Sequence, residues 1–192
     1  MPVFRDPSNR RRALGGLASV GLLLPAWAAD EDKGFGEDEM LKKAVAFFGK
    51  GSEGLAKVIE KVFKDQGQPN GYIQGEEAAA ALGVGLRYGD GRLTLKGGGS
   101  AKVYWAGPSI GIDAGANAAK VFTLVYKLPR LSAIYQRFPG IEGSLYWIAG
   151  AGVNYQHLDG ITLAPIRLGV GLRSGASVGY LHYRAKKSYN PL

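Results

Sequence analysis

The chain has 192 residues, a net charge of +8, 30 glycines, two histidines and no cysteine. That length suits one domain with a proper core. The absence of cysteine excludes disulfides, thiolate metal sites and a cysteine nucleophile, and two histidines alone do not make a structural zinc site, so no metal or cofactor is expected. The positive surplus comes without any motif that reads RNA or DNA, so no nucleic acid is expected, and the charge fits solubility or attraction to an anionic surface such as phosphate-bearing lipid.

The first 28 residues read as an export signal. Arg10, Arg11 and Arg12 form a basic cluster, residues 13–24 are uncharged and mildly apolar, Pro25 breaks the run, and Ala26-Trp27-Ala28 places small residues before a cut after Ala28. The apolar stretch is shorter than the roughly 20 residues a spanning helix needs. Arg11-Arg12-Ala13-Leu14 also resembles a twin-arginine signal, with Arg10 where a Ser or Thr is usual. Twin-arginine and general secretory export both remain open, and both lead to the periplasm or cell surface. Four arginines less Asp6 give the segment +3 of the +8, which leaves +5 on the rest. Residues 29–38 are expected to be a flexible acidic leader, and residues 39–192 a single domain with no integral membrane span.

Two helical pieces come first. Apolar residues recur at Leu41, Ala44, Val45 and Phe48, then at Leu55, Val58, Ile59, Val62 and Phe63. These three- and four-residue spacings define an amphipathic face, with Gly49, Gly51 and Gly54 separating the pieces and Ser52 as an N-cap. The apolar face is expected to dock on a core and not on a membrane.

From Tyr72 the period changes to two. GYIQG and AAAALGVGLRYG lead to Asp90-Gly91, read as a hairpin turn; RLTLK follows, then a second turn at Gly97–Ser100. AKVYWAG, SIGIDAGA and KVFTLVYKL are further strands. LSAIYQRF is a short helix or turn before Pro139-Gly140, and GSLYWIAGAGVNYQHL, a turn at Asp159-Gly160, ITLAPIRLGVGLRSG and ASVGYLHYRAK complete the set. The segment GVGLR occurs at Gly83–Arg87 and again at Gly169–Arg173. Neither copy is a dinucleotide loop, because the glycine spacing is wrong and a strand follows where a helix is required. As strands they put Leu, Val and Leu on one face and Gly, Gly and Arg on the other. Glycines along one face permit sharp coiling, or close approach of another backbone or ring. The expectation is a mainly β fold: a small closed antiparallel β-barrel of about eight to ten strands behind an N-terminal helical segment.

The runs GPSIGIDAGANAAKVFTLVYKLP, IYQRFPGIEGSLYWIAGAGVNYQ and LAPIRLGVGLRSGASVGYLHY resemble the EipA-like envelope integrity family of bacterial periplasmic proteins, long catalogued as a domain of unknown function. The resemblance runs from about Glu39 to Leu192. It implies a helix-preceded β-barrel in the periplasm with a role in envelope integrity and stress resistance. A fainter similarity to the SYLF lipid-binding domain rests on the glycine-rich strand and on Gly115–Ala118 leading into Val121–Tyr126; it implies lipid contact without naming a site.

Catalytic signals are sparse. His157 sits by the Asp159-Gly160 turn and His182 on a strand face. Asp90 and Asp159 are assigned to turns, which leaves Asp113 and Glu142 as the carboxylates in motif-like contexts. As a pair they could do acid–base work on an envelope glycan or lipid; alternatively Asp113 pairs with Lys120 or Arg137. No Gly-x-Ser-x-Gly elbow exists. Tyr104, Trp105, Phe138 and Trp147 lie near turns or Pro/Gly breaks, where a barrel has its rim. With Lys102, Arg130 or Arg137 beside them they would suit an acyl chain with an anionic head. The leading expectation is a non-enzymatic periplasmic barrel that holds a lipid or envelope protein. The alternatives are an enzyme acting through Asp113 and Glu142, and an outer-membrane barrel. The last is disfavoured because LGVGLR sets glycine, not a polar lumen, opposite its aliphatic face.

Overall fold

The computed structural model describes residues 34–111, 118–169 and 177–188, with backbone alone at 79–84, 109–111 and 177–178. Asp113, the second GVGLR copy beyond Gly169, and the export segment with Ala28 lie outside the described residues.

The folded region starts ahead of Glu39. Phe35 is buried, its amide donates to the Pro69 carbonyl at 2.8 Å, and helix α1 spans Glu37–Phe48. Glu37, Asp38 and Glu39 occupy its first turn, where carboxylates favour the exposed amides. Gly49 closes it in the left-handed region, φ 77°, donating to the Val45 carbonyl. Helix α2 spans Glu53–Gln66, and the Ser52 hydroxyl accepts from the Leu55 amide at 3.1 Å, the expected N-cap. Leu55, Val58, Ile59 and Val62 form its buried stripe.

Ten antiparallel strands make one sheet: β1 (Gly71–Leu95), β2 (Ser100–Gly111), β3 (Ala118–Tyr126), β4 (Arg137–Pro139), β5 (Tyr146–Ile148), β6 (Ala151–Val153), β7 (Gln156–Leu158), β8 (Ile161–Leu168), β9 (Ser177–Val178) and β10 (Tyr180–Arg184). The main order is β4-β10-β2-β1-β3-β8-β6-β5, with β7 on β8 and β9 on β2. A short 3-10 turn, Leu131–Ile134, precedes β4 where LSAIYQRF predicts one. The sheet curls into a barrel-like shell. Its border strand β4 reaches β7 through a single bridge, Gly140 to Gln156, and the Ile141 amide donates to the Tyr155 carbonyl at 2.9 Å. Among the described residues no ladder runs along that seam, so the shell meets the barrel expectation in curvature and order, with one bridge where a full ring would have a strand pair.

Two cores result. One is outside the curl, where α1 and α2 pack Met40, Leu55, Val58 and Ile59 on Phe122, Leu124, Ala164 and Ile166. The other is inside, built from Ile73, Leu93, Val103, Val125, Phe138, Leu163, Leu181 and Tyr183. Strands β3 and β8 sit between the two and bury both faces, which is why KVFTLVY and ITLAPI read as almost continuous apolar runs. The helices therefore dock on a core, as expected.

Two turn assignments need correction. Asp90 and Gly91 lie inside β1, opposite Tyr104 and Val103. The chain reverses earlier, because residues 71–78 pair with β3 while residues 83–94 pair with β2, and the two limbs of β1 run back alongside each other. The Lys96 amide donates to the Asn70 carbonyl at 2.9 Å. A Cβ on Gly91 would stand 2.5 Å from the Gln74 carbonyl oxygen. Gly91 is a glycine of close approach and not of a turn. Gly150, inside the expected strand stretch GSLYWIAGAGVNYQHL, is the opposite case: Ala149 (φ 46°) and Gly150 (φ 82°) form the tight turn between β5 and β6. Gly97–Gly99 and Asp159-Gly160 are turns as expected, the latter with φ 49° and 82°.

Ring contact also belongs to glycines outside the repeat. The Trp105 indole lies against Gly89 and Gly75, where an added Cβ would come within 2.2 Å and 2.6 Å of it. Gly89→Ala is expected to lower stability by about 1–3 kcal/mol through overpacking, read as a lower urea midpoint. Gly97→Ala, which has open space around it, should stay within about 0.5 kcal/mol of the parent.

Candidate functional site

The inward register of the sheet delivers an unexpected set of side chains. Counting by two from Ile73 gives Gly75 and Glu77; counting back from Leu93 gives Gly91, Gly89 and Arg87; β8 contributes Leu163, Pro165 and Arg167. Glu77, Arg87 and Arg167 are 5%, 2% and 4% exposed. Arg167 binds the Glu77 carboxylate with two N–H groups, Nε to Oε1 at 3.0 Å and Nη2 to Oε2 at 3.1 Å. Arg87 Nη1 stands 3.3 Å from Oε1, and the Trp105 indole N–H donates to Oε2 at 2.9 Å. Arg167 Nη1 reaches the Asn154 side-chain carbonyl at 3.0 Å. Burial pushes the Glu77 carboxyl up, but the charges of Arg167 and Arg87 and the donated hydrogen bonds outweigh it and hold the group below its ordinary range. Glu77 is thus an ionised structural anion and not a proton donor.

This corrects the reading of LGVGLR. Its faces alternate as expected, but Leu86 is the exposed residue and Arg87 the buried one. The inner face thus carries buried charges, Glu77, Arg87 and Arg167, beside its glycines. In the same interior the Tyr183 hydroxyl donates to Gln156 Oε1 at 3.3 Å, beside the seam. Burial raises the Tyr183 phenol far above its usual range.

Among the described residues, a larger and a smaller hollow lie beside the ionic cluster. A cavity of about 340 Å³ takes lining from both limbs of β1 (Glu76, Glu77, Tyr88, Asp90), from Tyr104 and Trp105 of β2, and from Arg184 and Lys187. That volume lies at the lower end of small-molecule sites. The other hollow, about 10 Å³ and large enough for one water, is lined by Arg87, Arg167, Asn154 and Trp147.

The residues proposed for a rim cluster are divided among these places. Tyr104 and Trp105 share the large cavity, Tyr104 half-buried and Trp105 buried. Lys102 is exposed, lies 5.0 Å from the Tyr104 ring centre and pairs with Asp90 at 3.6 Å. Phe138 is fully buried, edge-on to Tyr183 at 5.7 Å, and so belongs to the core and not to a rim. Trp147 covers Gly152 over the small hollow, away from Tyr104. Arg137 sits on the outer face with its guanidinium over Tyr180 at 5.6 Å and its Nε 3.3 Å from His182 Nδ1. Glu142 is exposed, and Lys120 donates to the Phe47 carbonyl at 2.8 Å. Among the described residues no three His, Asp or Glu side chains gather as metal ligands. Arg87 and Arg167 stood in quoted motifs, GVGLR and APIR. What was missed is that a charge in the inward register of a two-face-buried strand must have a partner.

The fold and its interior define a helix-buttressed, barrel-like β protein organised around a buried ion cluster. The chain belongs to the Envelope integrity protein A (EipA) family, whose profile matches residues 33–192, and its role lies in envelope integrity. It is similar to a β-barrel-like, uncharacterized protein from Brucella abortus solved by crystallography: 42% identity, 83% of this chain and 99% of that chain covered, TM-score 0.76. No curated protein matches. Among the described residues no helix is long and apolar enough to cross a membrane.

Replacing Glu77 by Gln leaves two buried guanidiniums without their carboxylate, and the expected cost is about 3–5 kcal/mol. The folded-state depression also sets a pH dependence. Its contribution is present above the ordinary glutamate value of 4.5 and is lost as pH falls through the lower folded value. Urea titrations between pH 3 and 7 should therefore show wild-type stability declining at the acid end and a flatter profile for Glu77→Gln.

Proposed function

We propose that the chain is a periplasmic, non-enzymatic envelope protein that holds a lipid or another envelope component in the cavity lined by Tyr104 and Trp105. The cavity carries this reading. Its walls combine aromatic rings with Arg184 and Lys187 at one side, a lining suited to an apolar body with an anionic head. Lys102 stands at the exposed edge beside Tyr104. Phe138 and Trp147 support from the core and from the small hollow. Complete closure of the shell belongs to the same proposal, since a sealed seam would leave the cavity as the route to the interior.

The non-enzymatic part is supported by Glu77. The cavity's buried carboxylate is ionised and saturated by Arg167, Arg87 and Trp105, whereas a general acid needs a raised pKa. The signal-like pattern of residues 1–28, a basic cluster, an apolar run and Ala26-Trp27-Ala28, supports the periplasmic location; with cleavage after Ala28, the protein from a periplasmic fraction should begin at Ala29 by N-terminal sequencing.

Native mass spectrometry of protein purified from its own periplasm is expected to show a bound lipid-sized adduct, depleted in Tyr104→Ser. The same variant should lose rescue of a deletion strain under envelope stress. A wild-type protein with no adduct, together with full rescue by Tyr104→Ser, would overturn the cavity reading. Asp113→Ala and Glu142→Ala are expected to fold and rescue normally; lost rescue with an intact fold would favour the enzyme.

A further inference from the structure

The apolar side chains that the shell leaves in water are concentrated in one place. Among the described residues the large hydrophobics that remain exposed are Leu86, Ile141 and Leu145. Two of the three lie in the short link between β4 and β5, Ile141 at 47% and Leu145 at 43% exposure. A lone exposed leucine needs no explanation, whereas apolar side chains gathered on one projection do.

The link is a fixed turn. The Ser144 amide donates to the Ile141 carbonyl at 3.2 Å, and the Ser144 hydroxyl donates to the same oxygen at 2.6 Å. Gly143 reverses the chain with φ 72°. The base is tied to Tyr155, whose carbonyl accepts from the Ile141 amide at 2.9 Å and whose amide donates to the Ser144 hydroxyl oxygen at 3.0 Å. Tyr155 is buried and donates its own hydroxyl to Asp65 of α2 at 2.8 Å. The backbone is thus ordered before the aliphatic side chains are covered, so covering them costs little further ordering.

Two rings flank these aliphatics. Trp147 is half-buried and lines the small hollow together with Leu145. Tyr146, half-buried on the other face of β5, has Lys61 Nζ 5.5 Å from its ring centre. Rings with an apolar body and a polar tip settle at a membrane–water boundary. The charges of α2 nearby are matched within the helix, Lys61 by Asp65 and Lys57 by Glu53. Glu142 is exposed at the tip of the turn. The patch therefore makes no demand for an anionic partner. A protein partner is a poor fit, because a stable interface buries about 800 Å² on each side, and two half-exposed aliphatics with the edges of two rings offer far less. A bilayer surface needs no such area, and the family's envelope role supports it as the apolar phase within reach.

We infer that the Ile141–Leu145 turn is a membrane-contact site that seats Ile141, Leu145 and the edge of Trp147 in the apolar boundary of a phospholipid bilayer, with Glu142 left in the headgroup layer. The inference goes beyond the cavity reading and does not rest on it, since none of these residues lines that cavity.

The test adds vesicles of phosphatidylethanolamine and phosphatidylcholine to the protein purified from its own cells. Trp105 is buried with its N–H committed to Glu77, so Trp147 is the tryptophan placed to report contact. Sedimentation with the vesicles is expected, with a blue-shifted emission that lipids brominated in their acyl chains quench. Trp147→Phe should lose the emission change and keep sedimenting. Ile141→Asp and Leu145→Asp should each weaken partition about tenfold or more without moving the urea midpoint, while Leu145→Ile keeps it. Raised ionic strength should leave partition unchanged, because the contact is apolar. Tyr104→Ser should bind vesicles as the parent does, whatever becomes of its adduct in native mass spectrometry, which separates this surface from the cavity. The site is overturned if the parent stays in the supernatant, if Ile141→Asp and Leu145→Asp partition as the parent does, or if salt releases the protein. Sedimentation velocity without lipid gives the remaining outcome: a dimer broken by Leu145→Asp would assign the turn to a second copy of the chain and overturn the membrane reading.

Discussion

The structure depends on one buried carboxylate. Glu77 accepts from Arg167 twice and from Trp105, and pairs with Arg87. Those partners come from the second limb of β1, from β2 and from β8, up to 90 residues away in the chain. Burying three charges is unfavourable unless each finds its counterpart with good geometry. The cluster therefore ties separate strands together: Arg167 reaches Glu77 from β8 past the intervening strand β3, and Arg87 reaches it from the other limb of β1. It also sets Trp105, whose ring closes against two glycine positions and whose N–H is committed to the carboxylate. The wall of the cavity follows from that placement.

Around this cluster the shell is asymmetric. One side, β3 and β8, is packed from inside and from outside by α1 and α2, so its strands are buried on both faces. The other side, β10, β2 and the second limb of β1, presents Arg184, Tyr104, Lys102 and Leu86 outward. Among the described residues, the helices thus divide the sheet into a buttressed half and a half they leave uncovered. The β2 and β10 walls of the cavity lie on the uncovered half. The uncovered half combines aromatic, basic and apolar side chains.

The ion cluster shows where local reading stops. Glu77 lies in GEEAAA, Arg87 in GVGLR and Arg167 in APIR, and each stretch alone reads as strand with an ordinary exposed charge. Alternation gives each strand two faces but does not say which one turns inward. For β1 the inward face carries Glu77 and Arg87, and the exposed one carries Leu86. Glycine was ambiguous for the same reason. Gly91 and Gly150 look alike in sequence, each after a small or acidic residue, yet Gly91 makes room for the Gln74 carbonyl and Gly150 supplies a left-handed turn. Phe138, placed at a rim by its neighbouring Pro-Gly, went to the core because β4 pairs with β10 and faces Tyr183.

By itself the sequence determined the class of structure and its local grammar. The two amphipathic helices, the Ser52 cap, the change to a period of two and the Asp159-Gly160 turn are all contacts among residues a few positions apart, and their energetics are written in short windows. The family motifs carried the envelope assignment in the same way. Tertiary structure alone decided which face of each strand is interior, that Glu77 meets two arginines there, and that Arg137 meets His182 outside. The Glu77–Arg167 and Arg137–His182 pairings span 90 and 45 residues; they are made only after the sheet has curled, and no local spacing encodes them.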